Sequence, residues 1–130
     1  MNRFLISAAH KSSGKTVISA GLTTALIERG YKVSTFKKGP DYIDPMWLGL
    51  ACGQPCWNLD FYTMGSDEIR ECFVRQSAGA DVALIEGNKG LFDGLDVEGG
   101  DSNAALAKLL NIPVVLVIDV TGITRGIAPL

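Results

Sequence analysis

Apolar residues along this chain come in short runs separated by stretches at helical spacing. Residues 3–8 form a brief apolar run that ends in small side chains, the pattern of a buried strand. Over 15–29, Ile18, Leu22, Ala25 and Leu26 recur at helical spacing, and Gly30 stands where a helix C-terminus is commonly closed. Residues 32–37 predict a second strand with Val33 and Phe36 as its apolar members. A strand, a glycine-containing turn, a helix and a strand make a βαβ unit, so a parallel pair with a right-handed crossover is expected.

The next segment is less regular. Residues 41–60 contain Pro45 and Pro55, follow Pro40, and carry aromatics with no clean period, so a loop with one short helix is expected. Ser66 is placed to cap a helix over 67–76, with acids in its first turn where the helix dipole favours them. Residues 82–86 (V-A-L-I-E) predict a third strand whose apolar run ends on an acid. Ser102 is placed to cap a helix through Leu110, and after Pro113 a fourth strand runs through 114–119. Continuous apolar strands alternating with helices call for a parallel sheet covered on both faces. The fold class is therefore α/β: a three-layer, P-loop NTPase-like domain. The final residues 126–130 follow an apparent loop after a core strand, so a truncated domain is expected. An uncovered sheet edge and bare helix faces would then favour self-association into a homo-oligomer.

Composition narrows the function. With 130 residues, one domain is expected, and 47% hydrophobic residues against 20% charged ones are enough for a packed core. A net charge of −2 and the lack of a basic stripe argue against a nucleic-acid partner. The apolar run at 4–6 is too short for a signal peptide or a membrane span, which points to the cytoplasm. Cys52, Cys56 and Cys72 read as reduced packing thiols, because the Cys52–Cys56 spacing is not C-x-x-C. Trp47 and Trp57, as lone aromatics, are expected in the core.

The chemistry concentrates between the first strand and the first helix. Ala9-His10-Lys11-Ser12-Ser13-Gly14-Lys15-Thr16 meets the end of the pattern G-x-x-x-x-G-K-[ST], with Ala9 in place of its first glycine. Residues 11–16 are thus candidates to cradle the phosphates of ATP. Lys15 would reach the β/γ oxygens and the Thr16 hydroxyl would hold Mg²⁺. Such a loop needs a second magnesium anchor at a neighbouring strand end, and Glu86 closes the third strand. Asp119 stands similarly at the fourth. Gly39-Pro40-Asp41-Tyr42-Ile43-Asp44-Pro45 sets two acids between prolines at a strand's C-terminal end, where α/β ligands collect. Gly90-Leu91-Phe92-Asp93-Gly94 repeats the theme. A hydrolase built on His10 with Ser12 or Ser13 lacks an oriented triad.

Together, residues 36–45, Asn58-Leu59-Asp60, Glu86-Gly87 and residues 90–94 resemble the cobyrinic acid a,c-diamide synthase family, whose ATP domain is similar to dethiobiotin synthetase. The resemblance runs from the P-loop to the end of the chain. It implies ATP·Mg²⁺-dependent phosphorylation of a tetrapyrrole side-chain carboxylate and amide formation by ammonia. That ammonia is drawn from glutamine by a C-terminal glutaminase domain absent from this stretch. It also implies that Asp41, Asp44, Asp93 and Lys37 serve catalysis, that Tyr42 and Asp60 contact substrate, and that Thr16 and Glu86 hold metal. Lys11-Ser12-Ser13, Met46-Trp47-Leu48 and Asn88-Lys89 look more like a branch that amidates sirohaem. Two rival readings are a partition-type P-loop switch protein and a dethiobiotin-synthetase-like ligase with a small substrate. The first uses a signature lysine where His10 stands.

Overall fold

A computed structural model of the chain describes residues 1–10 and 13–129. Among the described residues, five strands and four α-helices alternate. They are β1 (Asn2–Ala8), α1 (Lys15–Glu28), β2 (Val33–Lys38), α2 (Asp44–Cys52), β3 (Trp57–Leu59), α3 (Ser66–Ser77), β4 (Val82–Gly90), α4 (Asn103–Leu110) and β5 (Val114–Val117), with a 3-10 turn at Arg125–Ile127. Every strand pairing is parallel, in the order β3-β2-β4-β1-β5. The expected α/β parallel-sheet architecture is therefore what the chain adopts.

Strand alternation divides the core in two. Leu5, Phe36, Ala83 and Ile85 point to one face and pack with Ile69 and Phe73 of α3 and Leu106 of α4. The Phe36 and Phe73 rings meet at 4.9 Å between centroids, a tilted pair. Ile6, Ala8, Leu84 and Val117 form the opposite cluster. On the same side as Leu84 and Glu86, Thr35 lies 3.4 Å from the Cys52 thiol of α2.

Several elements differ from expectation for identifiable reasons. β1 and β2 are parallel but not neighbours, because β4 lies between them and pairs with both. The irregular segment 41–60 contains both α2 and an edge strand, β3, whose three residues are too few to show a period. Pro45 in the first turn of α2 and Gly53 at φ 70 after its last residue mark the helix ends. Helix α3 begins at Ser66 rather than after it. Gly65 holds the N-cap position, and its N–H donates to Glu68 Oε1 at 3.4 Å. Ser102 caps α4 as expected, accepting from the Ala105 N–H at 3.1 Å. β5 stops at Val117, so Asp119 lies in a turn where it accepts from the Thr121 N–H and hydroxyl. Neither tryptophan is in the core: Trp47 lies on the outer side of α2 and Trp57 on the edge strand, both exposed. No helix among the described residues is long and apolar enough to cross a membrane.

Candidate active site

The strand order reverses between β1 and β4: the chain leaves β1 toward β2 and leaves β4 toward β5. Such a reversal opens a crevice at the carboxyl ends of the strands. Two segments meet there, the residues flanking β1 and α1 at 9–10 and 13–14 and the Gly87–Gly90 end of β4. The Leu91 N–H donates to the Ala8 carbonyl at 2.8 Å and ties them together.

Gly14 takes φ 85, a left-handed conformation that suits glycine, and leaves the start of α1 without a side-chain cap or an acid in its first turn. The N-terminal N–H groups of α1 are thus available to an anion. Lys15 is nearly buried there. Burial, and then the charge of Lys37, pull its ammonium below the usual lysine range, with Glu86 and Asp44 opposing. Lys11 and Ser12, also expected to touch phosphate, lie outside the described residues. The Ser13 hydroxyl donates to the His10 carbonyl at 2.9 Å and sits 3.1 Å from His10 Nδ1, so it braces its own loop.

Across from Lys15, Lys37 of β2 is buried to 2% exposure and reaches several acceptors at once. Its Nζ lies 2.9 Å from Asp44 Oδ2, 3.1 Å from Glu86 Oε1, 2.9 Å from the Gly87 carbonyl and 3.9 Å from Asp41 Oδ2. Thr16 donates to the same Glu86 Oε1 at 2.8 Å. The register Lys37↔Glu86 places these two side chains side by side on one face of adjacent strands. Asp41 shapes the approach, since its Oδ1 accepts the Ile43 N–H at 2.9 Å and turns the chain into α2. That turn delivers Asp44 to Lys37.

The two acids beside Lys37 shift in opposite directions. Burial would raise Asp44, but the hydrogen bond and charge of Lys37, with help from Thr16 and Asp41, outweigh it and hold the carboxyl below its ordinary value. Glu86 is fully buried, and there burial wins over Lys37 and Thr16, so its carboxyl is raised. A buried carboxylate costs free energy unless all its oxygens are paired. Among the described residues, Glu86 Oε2 has no hydrogen-bond partner.

The resulting cavity holds about 310 Å³ and is lined by residues 13–17, Lys37, Asp41, Asp44, Glu86, Asn88 and Lys89. No group of three or more His, Cys, Asp and Glu that could hold a metal by itself occurs among the described residues. Magnesium carried by phosphates needs only one or two protein oxygens. Thr16 Oγ1 and the orphaned Glu86 Oε2 fit that requirement.

Other predicted site residues lie away from the cavity. Asp93 Oδ2 accepts the Gly90 N–H at 2.8 Å and pins the loop after β4. Asp60 is buried, accepting from the Tyr62 N–H and the Thr63 hydroxyl. Tyr42 is exposed. All three thiols are free, and burial pushes Cys56 up to about 12, so it is no nucleophile at neutral pH.

Sequence reasoning missed Asn103, which is fully buried at the start of α4. Its amide nitrogen donates to Ser7 Oγ at 2.9 Å, the Asn88 carbonyl at 2.7 Å and the Gly90 carbonyl at 3.3 Å, while its Oδ1 accepts the Asn88 N–H at 3.2 Å. One residue thereby fixes the Gly87–Gly90 wall of the cavity. No local pattern in the sequence signals it, because its partners lie at least 13 residues away.

The chain matches curated proteins over nearly its whole length. It is 59% identical over 128 residues to the cobyrinate a,c-diamide synthase of Magnetococcus marinus, covering 98% of this chain and 27% of that protein. It is 45% identical over 129 residues to the enzyme of the same name from Syntrophotalea carbinolica, covering 98% of this chain and 28% of the relative. It is also 45% identical over 129 residues to the hydrogenobyrinate a,c-diamide synthase of Streptomyces coelicolor, with 98% and 26% covered. This chain belongs to the cobyrinate a,c-diamide synthase family. No protein-family model matches it. The chain spans just over a quarter of the length of these relatives.

Proposed function

We propose that residues 1–130 are the N-terminal part of the ATP-binding domain of a cytoplasmic carbon–nitrogen ligase. The enzyme would amidate side-chain carboxylates of a tetrapyrrole, cobyrinate or sirohaem, using ammonia that a glutaminase domain outside these residues releases from glutamine. The observation that carries this reading is the Lys37 ammonium held between Asp44 and Glu86, opposite Lys15 and Thr16.

ATP·Mg²⁺ would supply the phosphoryl group that makes an acyl phosphate of the substrate carboxylate, from which ammonia displaces phosphate to leave an amide. Lys15 and the first-turn N–H groups of α1 would bind the phosphates, with residues 11–14 around them. Thr16 and Glu86 would hold the metal. Lys37, oriented by Asp44 and Asp41, would sit where negative charge passes between two anionic reactants, and fixed charges there lower the barrier. Asp93 would act through Gly90 by fixing the adjacent loop. Tyr42, exposed beside Asp41, would meet the substrate at the mouth. Asp60 would hold the turn after β3.

Names of the relatives favour cobyrinate, whereas Asn88-Lys89 and the Lys11-Ser12-Ser13 loop favour sirohaem. The test offers each tetrapyrrole separately to the full-length protein with ATP, Mg²⁺ and free ammonia. Amidation of one identifies the substrate. ATP turnover without amidation of either points to a switch protein instead.

A further inference from the structure

Lys37 and Lys38 are adjacent on β2, so their side chains leave opposite faces of the sheet. Lys37 turns toward α1 and α2, into the phosphate cavity. Lys38 turns the other way, with its Nζ 6.0 Å from the centroid of the Phe61 ring, and Phe61 packs against the core cluster of α3 and α4. The end of β4 runs between them: Lys37 donates to the Gly87 carbonyl, and Lys38 donates to Asn88 Oδ1 at 3.3 Å.

Lys38 is an unusual buried cation. It is only 6% exposed, yet its one hydrogen bond among the described residues is to a neutral amide. Asp101 and Asp60 influence it, but neither lies within ion-pair distance among the described residues. Asp60 is engaged with the Tyr62 N–H and the Thr63 hydroxyl, and Asp101 with the Tyr62 hydroxyl at 2.8 Å and two backbone N–H groups. Burial of an ammionium without a carboxylate in contact is costly. Desolvation accordingly lowers the affinity of Lys38 for its proton.

The partner of Lys38 is itself held rigidly. Asn103 grips both the N–H and the carbonyl of Asn88. Asn88 also lines the phosphate cavity, so it belongs to both sides of the wall. Lys89 follows at φ 48, a left-handed conformation uncommon outside glycine, and lines the same cavity.

We propose that Lys38, Asn88 and Lys89 form a second anion subsite, which binds a carboxylate of the substrate other than the one that reacts. This rests on the amide-synthetase reading above. A polycarboxylate straddling the Gly87–Asn88 wall would present one acid to Lys37 and a second to Lys38. The second contact would fix which side chain reaches the phosphate, making Lys38 a specificity determinant, with Asn103 as the residue that positions Asn88.

The test uses the full-length protein and its variants Lys38→Met, Lys38→Arg and Asn88→Ala. Equilibrium binding of cobyrinate and of sirohaem is measured without ATP, and KM and kcat are measured where amidation occurs. Lys38→Met is expected to weaken tetrapyrrole binding at least tenfold and to raise the tetrapyrrole KM alike. The KM for ATP·Mg²⁺ should change less than about twofold, and Lys38→Arg should recover part of the loss. Asn88→Ala, which keeps the lysine, should give a smaller loss of the same kind. Unchanged tetrapyrrole affinity in a folded Lys38→Met protein overturns the proposal. A raised ATP KM with unaltered tetrapyrrole binding also overturns it, by assigning Lys38 to the nucleotide. Tetrapyrrole binding that weakens in Lys38→Met while the parent amidates nothing supports the subsite and rejects the synthetase reading alone.

Discussion

The Thr16 hydroxyl donates to Glu86 Oε1 at 2.8 Å, across 70 residues of sequence. It joins the first turn of α1 to the middle of β4 and brings together the two groups best suited to magnesium. The other oxygen of Glu86 has no hydrogen-bond partner among the described residues. Replacement of Glu86 by Gln keeps the shape and removes the charge. The variant is predicted to bind metal-free ATP about as well as the parent, but to lose most of the gain in affinity that Mg²⁺ confers. Titration of ATP affinity against Mg²⁺ checks this, and a magnesium response like the parent's removes Glu86 from the metal site.

Lys15 gives a second prediction. Its ammonium is already depressed by burial and by Lys37, so its charge contributes little to stability. Lys15→Ala should leave the melting temperature at or above the parent's. Loss of charge-assisted bonds to phosphate should weaken ATP binding by about tenfold to a hundredfold. Calorimetric titration measures the second effect. Undiminished affinity in a folded variant contradicts the P-loop assignment.

Much of this arrangement is legible in the sequence, and what is not has physical reasons. The apolar runs of β1, β2 and β4 and the Gly14-Lys15-Thr16 turn signal themselves through local pattern. Glu86 is legible because an acid that ends an apolar run has few other uses. β3 is hidden because a three-residue edge strand carries no period, and Trp57 on it stays exposed. Helix α2 is hidden among aromatics, although Pro45 and Gly53 mark its ends. Asn103 is invisible because its role lies wholly in tertiary contacts with Ser7, Asn88 and Gly90. The Asp93 contact with the Gly90 N–H is local, three residues back along the chain, but shows only in the fold. A Cβ on Gly90 would come within 2.6 Å of the Ala9 carbonyl, so the loop needs both the glycine and its anchor.

A third prediction concerns pH. Lys37, with Thr16 and Asp41, holds the Asp44 carboxyl below its ordinary value against the opposing effect of burial. The stability this pairing contributes is fully present above the unfolded pKa and is lost as pH falls through the lower, folded one. The gap in unfolding free energy between the parent and Asp44→Asn should be about 1 kcal/mol near neutral pH. It should close as the solution is acidified below the ordinary carboxylate range. Denaturant titrations at a series of pH values would reveal it. A gap that widens in acid contradicts the Asp44–Lys37 pairing.

The central claim is that Lys37, poised by Asp44 against Glu86, serves transfer of phosphoryl to a carboxylate and its conversion to an amide. The most direct test measures amide, ADP and phosphate together, from the full-length protein supplied with ATP, Mg²⁺, free ammonia and either cobyrinate or sirohaem. The parent is predicted to form all three in equal amounts with one of the two tetrapyrroles. Asp44→Asn is predicted to bind ATP·Mg²⁺ within about twofold of the parent, yet to form almost no amide. A parent that binds ATP and amidates neither tetrapyrrole, or an Asp44→Asn variant that amidates at the parental rate, contradicts the account.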